Sequence, residues 1–154
     1  MWLIDDFMGK FNASIMLDRG LIVENGNRYF LLNRNLKGLI EKKFFYAGVY
    51  LGKNRGKTFF PSFPLLDMIA QSDANKTTVD SKTEWLFICG RDIFRKGITS
   101  MVKSRKKGEY TLILSAHGDC LGFGKIMLSI DHADRNQVVI KNIADIGDFL
   151  RREK

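Results

Sequence analysis

The chain has 154 residues, and its 45% of apolar residues is enough to bury the core of one ordinary domain or of two small ones. This composition excludes a disordered chain, and no apolar run approaches the ~18 residues that a membrane span requires. The amino terminus, "MWLIDDFMGKF", has acidic residues where a secretory signal requires basic ones, so we expect a cytosolic or nuclear protein without a membrane partner.

The positive charge of the chain is unevenly distributed. The 25 basic and 17 acidic residues give a net charge of +8. Residues 34–57 carry seven basic side chains and one acid, and residues 91–107 again carry seven basic side chains and one acid. Segregated charge of this kind indicates a surface that faces a polyanion, with basic loops that only maintain solubility as the alternative.

The amino-terminal half predicts a small α/β unit. Apolar residues at helical spacing predict a helix over residues 2–11, and Asn25–Gly26 between apolar runs predicts a β-hairpin. A short helix over residues 35–43 follows. The runs "FFYAGVYLGK" and "TFFPSF" predict strands joined by a turn at "NRGK", and "PLLDMIAQ" predicts a helix. Pro61 confines its strand to a sheet edge or a bulge.

The carboxy-terminal half predicts a small barrel. The polar segment "SDANKTTVDSK" predicts a boundary near residue 75, which divides the chain into domains 1–75 and 76–154. Beyond it, "KTEWLFICG" predicts a helix that ends at Gly90, and "ADIGDFLRREK" predicts a closing helix. Between them, "GITSMVK", "YTLILSA", "LGFGKIMLS" and "QVVIKN" predict strands. Many short strands predict a closed or half-closed barrel, so the whole chain is expected to have an α+β fold.

The run "GDCLGFGKI" at residues 118–126 has the glycines and lysine of a phosphate-binding loop but not its spacing. Such a loop requires GxxxxGK[ST] between a strand and a helix. Here the outer glycines are one residue too far apart, an isoleucine follows the lysine, and the next residues are strand-like. We therefore predict that Gly122 and Gly124 permit a sharp strand bend or a close backbone approach, with Phe123 turned into the core.

The remaining residues form no recognisable catalytic or metal-binding set. His117 and His132 lack the cysteine pair or spaced carboxylates of a metal site, and nothing fixes the partners of a catalytic triad. The acid pairs Asp5–Asp6 and Asp145/Asp148 are explained as helix starts, where carboxylates favour the positive end of the dipole. Both tryptophans lie in apolar helical patterns and are predicted to be core residues. We expect no enzymatic activity, no metal and no cofactor.

The stretch "CGRDIFRKGI" combines two features with which a basic surface recognises single-stranded RNA. Guanidinium or aromatic planes stack on unpaired bases, and glycines expose backbone groups. For Phe94, core packing is the favoured interpretation. The candidate residues are Gly90, Arg91, Arg95, Lys96 and Gly97, joined by Lys125, Arg151 and Arg152 if the closing helix packs beside this connection.

The order and spacing of "FICGRDIFRKGI", "LGFGK" and "ADIGDFLRRE" resemble those of a PUA domain, a small RNA-binding pseudo-barrel. Upstream, "YLGKNRGKTFFPSFPLLDMIA" is similar to the N-terminal domain of the Nip-seven family of large-ribosomal-subunit biogenesis factors, and the short chain resembles its archaeal branch. The resemblance implies a small α/β N-terminal domain and a PUA pseudo-barrel, mostly β with two short helices. The chain departs from the pattern at Thr99, where a second glycine is expected, and at Lys125, where the strand is usually apolar or small.

The resemblance also implies a function. It implies a non-catalytic factor in large-subunit assembly and pre-rRNA processing, which binds single-stranded uridine- or adenine-rich RNA through the PUA domain. Implied partners are RNA and ribosome-assembly or exosome-linked proteins, and we expect a cytoplasmic monomer, or a nucleolar one in a eukaryote. Carried over, the RNA-binding positions are Gly90, Arg91, Arg95, Lys96, Gly97, Arg151 and Arg152, with Lys125 as an added phosphate contact. A protein-interaction adaptor that does not bind RNA, or an RNA-modifying enzyme, remains the alternative.

Overall fold

The computed structural model describes residues 2–103 and 105–152, which form four α-helices and ten β-strands in two sheets. The helices are α1 (Leu3–Gly9), α2 (Phe63–Gln71), α3 (Ser81–Ile88) and α4 (Ile146–Arg152). The strands are β1 (Ile22–Asn25), β2 (Arg28–Leu31), β3 (Val49–Arg55), β4 (Thr58–Pro61), β5 (Lys76–Val79), β6 (Ile93–Phe94), β7 (Ile98–Val102), β8 (Tyr110–Leu114), β9 (Cys120–Ile126) and β10 (Val138–Asp145).

The first sheet contains β1 to β4 in sequence order, and all its neighbours are antiparallel. The predicted first hairpin is confirmed, although Asn25 pairs with Arg28, so its loop is Gly26–Asn27 and Gly26 adopts a φ of 66°. β4 is an edge strand, as Pro61 predicted. The predicted helix over residues 35–43 is instead a 3₁₀ helix over Arg34–Leu39.

The second sheet has the order β6-β10-β9-β8-β5-β7 and curls into a half-barrel. Its neighbours are antiparallel except for the parallel pair β5 and β8. The polar segment predicted as a linker contains the interior strand β5. The polar composition of this segment was misleading, because the polar residue Thr77 is buried in the strand. Its hydroxyl lies 2.8 Å from the hydroxyl of Thr111.

The two sheets share one hydrophobic core. Phe7 and Phe11 of α1 pack against Phe123 of β9, with ring centroids 5.4 and 5.5 Å apart. Leu112 of β8 belongs to the same buried cluster, together with apolar residues of α2 and β3. The chain passes from one sheet to the other between α2 and β5. The predicted division into domains 1–75 and 76–154 stays a prediction.

The glycines of "LGFGK" lie in a strand, as predicted, and Phe123 is buried between them. Gly122 has a φ of 143°, and a Cβ placed there would lie 2.0 Å from the carbonyl oxygen of Ala144. A Cβ on Gly124 would lie 2.4 Å from Cγ2 of Ile140. These contacts show that the glycines allow β10 to approach β9 closely.

Two aromatic residues predicted in the core are exposed. α3 turns Phe87 into the core, and Trp85, two residues earlier and therefore about 200° away around a helix of 3.6 residues per turn, is 66% exposed. Phe94 is 40% exposed, at the end of the two-residue strand β6. The core prediction was wrong for both residues, because α3 buries only one narrow stripe and β6 is a short edge strand.

Candidate nucleic-acid interface

The carboxyl end of α3 is closed by a glycine turn. Gly90 adopts a φ of 90°, its N–H donates to the carbonyl of Phe87 at 2.9 Å, and the N–H of Arg91 donates to that of Leu86 at 3.0 Å. This pair of bonds is a Schellman motif, which requires a left-handed residue after the helix. The predicted helix end at Gly90 is confirmed, and it leaves Gly90 and Arg91 exposed to solvent.

A buried carboxylate organises the start of α4 beside this turn. Asp145 is 3% exposed and accepts a hydrogen bond from the N–H of Asp148 at 2.8 Å, which caps the helix. Asp145 also accepts from Nδ2 of Asn142 at 3.1 Å, and Asn142 donates to the carbonyl of Phe87 at 2.9 Å. Asn142 and Asp145 therefore fix α4 relative to the end of α3.

Arg151 projects from α4 toward the α3 turn. Its guanidinium lies 3.5 Å from the Asp145 carboxylate, and its side chain is 55% exposed. A Cβ placed on Gly90 would lie 4.0 Å from this guanidinium, and one on Gly147 would lie 2.3 Å from the carbonyl oxygen of Ile88. Because both helices approach so closely, the predicted residues Gly90, Arg91 and Arg151 come together. We call these three residues the α3–α4 corner.

The other basic residues of the predicted connection lie elsewhere along β10. The Nε of Arg95 donates to the carbonyl of Ile130 at 3.0 Å, and Nζ of Lys96 contacts Oδ1 of Asn136 at 3.2 Å. β6 pairs Phe94 with Val138, four residues before Asn142. At about 3.4 Å per strand residue, Val138 lies roughly 13 Å along β10 from Asn142. This second group is therefore separate from the corner.

Three further predicted residues occupy different surroundings. Gly97 is buried against α3, and a Cβ there would lie 2.0 Å from Oγ1 of Thr83, so the packing of this helix requires a glycine here. Lys125 is half-buried on β9, opposite Tyr110 and Lys141 on the neighbouring strands. Arg152 belongs to α4, but its side chain lies outside the part of the chain that the structure describes.

A large groove runs between the first sheet and the second. Its volume is about 1130 Å³, above the ~300–1,000 Å³ typical of small-molecule sites. In the described part of the chain, five cations and one acid line it: Lys10, Lys53, Arg55, Lys57 and Arg151, with Asp6. Its aromatic lining consists of Phe7, Tyr50, Phe59, Phe60, Tyr110, Phe123 and Phe149. We call this feature the inter-sheet groove.

The β3–β4 hairpin supplies the basic wall of the inter-sheet groove. Lys53 pairs with Phe60 in the ladder, so their side chains share a face of the hairpin, and Arg55 follows on the same face. The guanidinium of Arg55 lies 5.7 Å from the Phe60 ring centroid. Burial raises the pKa of the nearby Tyr50 phenol, which therefore stays neutral at physiological pH. The hairpin thus presents cations around an aromatic plane.

The sequence predicted a basic window that contains Lys53, Arg55 and Lys57, but it did not predict that these residues line a groove. Their alternation with uncharged residues is a usable signal, because a period of two puts charges on one face of a strand. The approach of this hairpin to α4 has no counterpart in the local sequence. Asn142 gave no signal either, since its role depends on contacts with α3 and α4.

Residues 2–103 and 105–152 offer neither a metal site nor a membrane-spanning helix. In this part of the chain, no three His, Cys, Asp or Glu side chains gather in an arrangement that could hold a metal ion. None of the helices in these ranges is both long and apolar enough to cross a membrane.

The curled sheet closed by α3 and α4 defines a PUA-type fold, joined to a smaller unit with helices on a four-stranded sheet. Comparison with family models agrees, because the UPF0113 PUA domain matches residues 75–154. The chain belongs to the UPF0113 PUA-domain family.

Individual relatives extend the similarity beyond this domain. A UPF0113 protein of Archaeoglobus fulgidus is 30% identical over 114 residues, which cover 71% of this chain and 63% of the relative. A 60S ribosome subunit biogenesis protein NIP7 homolog of Tetraodon nigroviridis is 23% identical over 162 aligned positions, covering 97% and 89%. The chain spans less than two thirds of the archaeal relative.

A solved structure shows the same fold. The conserved PUA domain protein from Thermoplasma acidophilum aligns with a TM-score of 0.60 at 22% identity, covering 86% of this chain and 79% of that one. These comparisons confirm the predicted resemblance to the Nip-seven family, its PUA domain and the α+β fold class.

Proposed function

We propose that this protein is a non-catalytic RNA-binding factor in the assembly of the large ribosomal subunit and pre-rRNA processing. The observation that carries the proposal is the approach of the Arg151 guanidinium to the positive-φ backbone of Gly90, next to the exposed residue Arg91, within a PUA fold. The name of the NIP7 homolog supports the role in assembly. Ribosome-assembly or exosome-linked proteins are the proposed protein partners.

The α3–α4 corner suits an unpaired RNA strand. Arginine guanidinium groups are planar, so they bind phosphates with two hydrogen bonds or stack on exposed bases. Arg151 lies beside the Asp145 carboxylate, which orients its guanidinium before RNA binds. The exposed backbone at Gly90 allows a nucleotide to approach without a side chain in the way. We propose uridine- or adenine-rich single strands as the ligand.

The remaining basic residues of the prediction are proposed as phosphate contacts away from the corner. Within residues 2–103 and 105–152, the Arg95 side chain donates only through its Nε, which would leave the terminal nitrogens for phosphate. Lys96 and Arg152 would add further positive charge, and Gly97 would act through the backbone geometry of the turn. Lys125 faces Lys141 across the ladder, and such like-charged neighbours repel each other unless an anion lies between them.

The experiment is a binding titration with a labelled uridine-rich single strand, the matching RNA duplex and the matching DNA between 50 and 200 mM salt. The salt slope is the slope of the logarithm of the binding constant against the logarithm of the salt concentration, and it is near −0.7 per phosphate contact for a single strand. With about four contacts, we expect roughly fifty-fold weaker binding to the RNA single strand across this range. Tighter binding of that strand than of the duplex is the second expected result. Weak binding without preference would contradict the proposal and favour the protein-interaction adaptor.

The corner itself is tested by the double variant Arg91→Ala/Arg151→Ala. Loss of two contacts lowers the salt slope by about 1.4, which corresponds to roughly 25-fold weaker binding at 0.1 M salt. The control, Lys37→Ala/Lys42→Ala, removes the same charge from exposed residues outside the corner and the inter-sheet groove. Equal affinity for the corner variant and the wild type would refute the corner assignment.

A further inference from the structure

We propose that the inter-sheet groove is a second binding surface for the same RNA strand, in which unpaired bases stack on Phe60 while Lys53, Arg55 and Lys57 contact phosphates. The inference rests on the proposed function, because it extends the path of an RNA that is first held at the α3–α4 corner. It makes the smaller sheet, rather than the PUA fold alone, part of the RNA-binding surface.

The charge of the inter-sheet groove identifies a polyanion as its occupant. Lys53, Arg55 and Lys57 lie on or next to a single hairpin, and Lys10 and Arg151 add two more cations from α1 and α4. Among residues 2–103 and 105–152, Asp6 is the one acid in this lining. A concave surface lined by one sign of charge concentrates oppositely charged ligands.

The aromatic lining distinguishes a nucleic acid from other polyanions. Phe60 is half-buried, and among the described residues its ring has Arg55 as a cation partner and no aromatic ring against it. An aromatic plane beside a guanidinium is a typical stacking platform for bases of any sequence. Phe149 and Tyr110, both half-buried, line other parts of the same groove. An acidic peptide without aromatic residues would use the cations but would place no planar ring against these side chains.

The inter-sheet groove is continuous with the corner. Arg151 belongs to both, since its guanidinium lies near Gly90 and its side chain lines the groove. Away from the corner, Nζ of Lys10 lies 5.0 Å from the centroid of Tyr110, and Tyr110 pairs with Lys125 in the ladder. A single strand that leaves the corner along α4 therefore meets basic and aromatic groups in the groove.

The first test compares two triple variants from the same basic window. Lys53→Ala/Arg55→Ala/Lys57→Ala removes the three hairpin cations of the groove, and Arg34→Ala/Lys37→Ala/Lys42→Ala removes equal charge from exposed residues that do not line it. For the groove variant we expect a salt slope lower by about 2 and roughly 100-fold weaker binding of a 12-nucleotide uridine-rich strand at 0.1 M salt. The control variant should change binding by less than five-fold.

The second test uses the wild-type protein first and then one substitution. A single strand with 5-iodouridine at each position in turn, which crosslinks to stacked aromatic side chains on irradiation, should give a crosslinked peptide that contains Phe60. Phe60→Leu keeps an apolar side chain but removes the ring, so it should remove this crosslink, with about five-fold or greater loss of affinity, since stacking contributes about 1–3 kcal/mol per base.

The outcomes separate this inference from the proposed function. If Arg91→Ala weakens binding while the groove variant binds like the wild type and Phe60 is not crosslinked, the inference fails and the corner remains. If the wild-type protein binds no RNA, both fail. If polyglutamate displaces the strand from the groove as well as unlabelled RNA does, charge alone explains the groove and base stacking there is refuted.

Discussion

Gly122 shows how one residue sets the path of a strand in this protein. Its φ of 143° and the 2.0 Å that would separate a Cβ from the Ala144 carbonyl oxygen leave no room for a side chain. The neighbouring Phe123 can then reach the core shared by both sheets. This close approach was predictable, because "LGFGK" failed as a phosphate loop and glycines in a strand favour a bend.

Gly122→Ala is expected to lower the free energy of unfolding by at least about 2 kcal/mol, because it adds backbone strain to a steric clash. Urea unfolding followed by circular dichroism measures this change. Gly9→Ala is the matched control, since Gly9 lies in α1 with nothing within 4 Å of an added Cβ. It should leave stability unchanged or raise it by up to about 1 kcal/mol. Equal stability of Gly122→Ala and the wild type would contradict the close approach.

The helices and hairpins were largely predictable because their ends carry local signals. Ser62 accepts from the N–H of Leu65 at the start of α2, and Asp80 accepts from that of Thr83 at the start of α3. β5 and β6 were not predicted, since β5 resembles a polar linker and β6 has two residues. In both, pairing with neighbouring strands determines the structure more than the local residues do.

At the α3–α4 junction, Asp145→Ala removes the cap of α4, the partner of Asn142 and the ion pair of Arg151. We expect a loss of about 2–3 kcal/mol, because a helix cap contributes ~0.5–2 kcal/mol and the half-buried Asn142 amide loses one of its acceptors. Asp145→Asn keeps an oxygen for the cap and should lose about half as much. Urea unfolding of the two variants measures the difference. An unchanged free energy for Asp145→Ala would show that Asp145 does not hold the junction together.

The whole molecule is organised by the core between its two sheets. Phe11 is fully buried and packs against Phe7, Tyr110 and Phe123, which come from both halves of the chain. The sequence indicated which residues are apolar but not that the two halves meet. Such contacts between residues about 100 positions apart leave no periodic signal in the chain. For the same reason, the inter-sheet groove appears only in the folded protein.

Because of this shared core, both sheets should unfold in one transition. Trp2 precedes α1 and Trp85 lies in α3, so the single-tryptophan variants Trp2→Phe and Trp85→Phe report on different parts of the chain. The urea midpoints of the two variants should coincide. Phe11→Ala should lower both midpoints together, because it should lower the free energy of unfolding by about 3–5 kcal/mol. Separate midpoints would instead show two independently folding domains.

The central claim is that one RNA strand contacts both the α3–α4 corner and the inter-sheet groove. The most direct measurement is an amide chemical-shift titration of the wild-type protein with a 12-nucleotide uridine-rich strand. We expect Gly90 and Arg91 to shift together with residues 53–60, and all of them to follow one binding curve. Shifts confined to the corner, or separate curves for the two regions, would contradict a single continuous path.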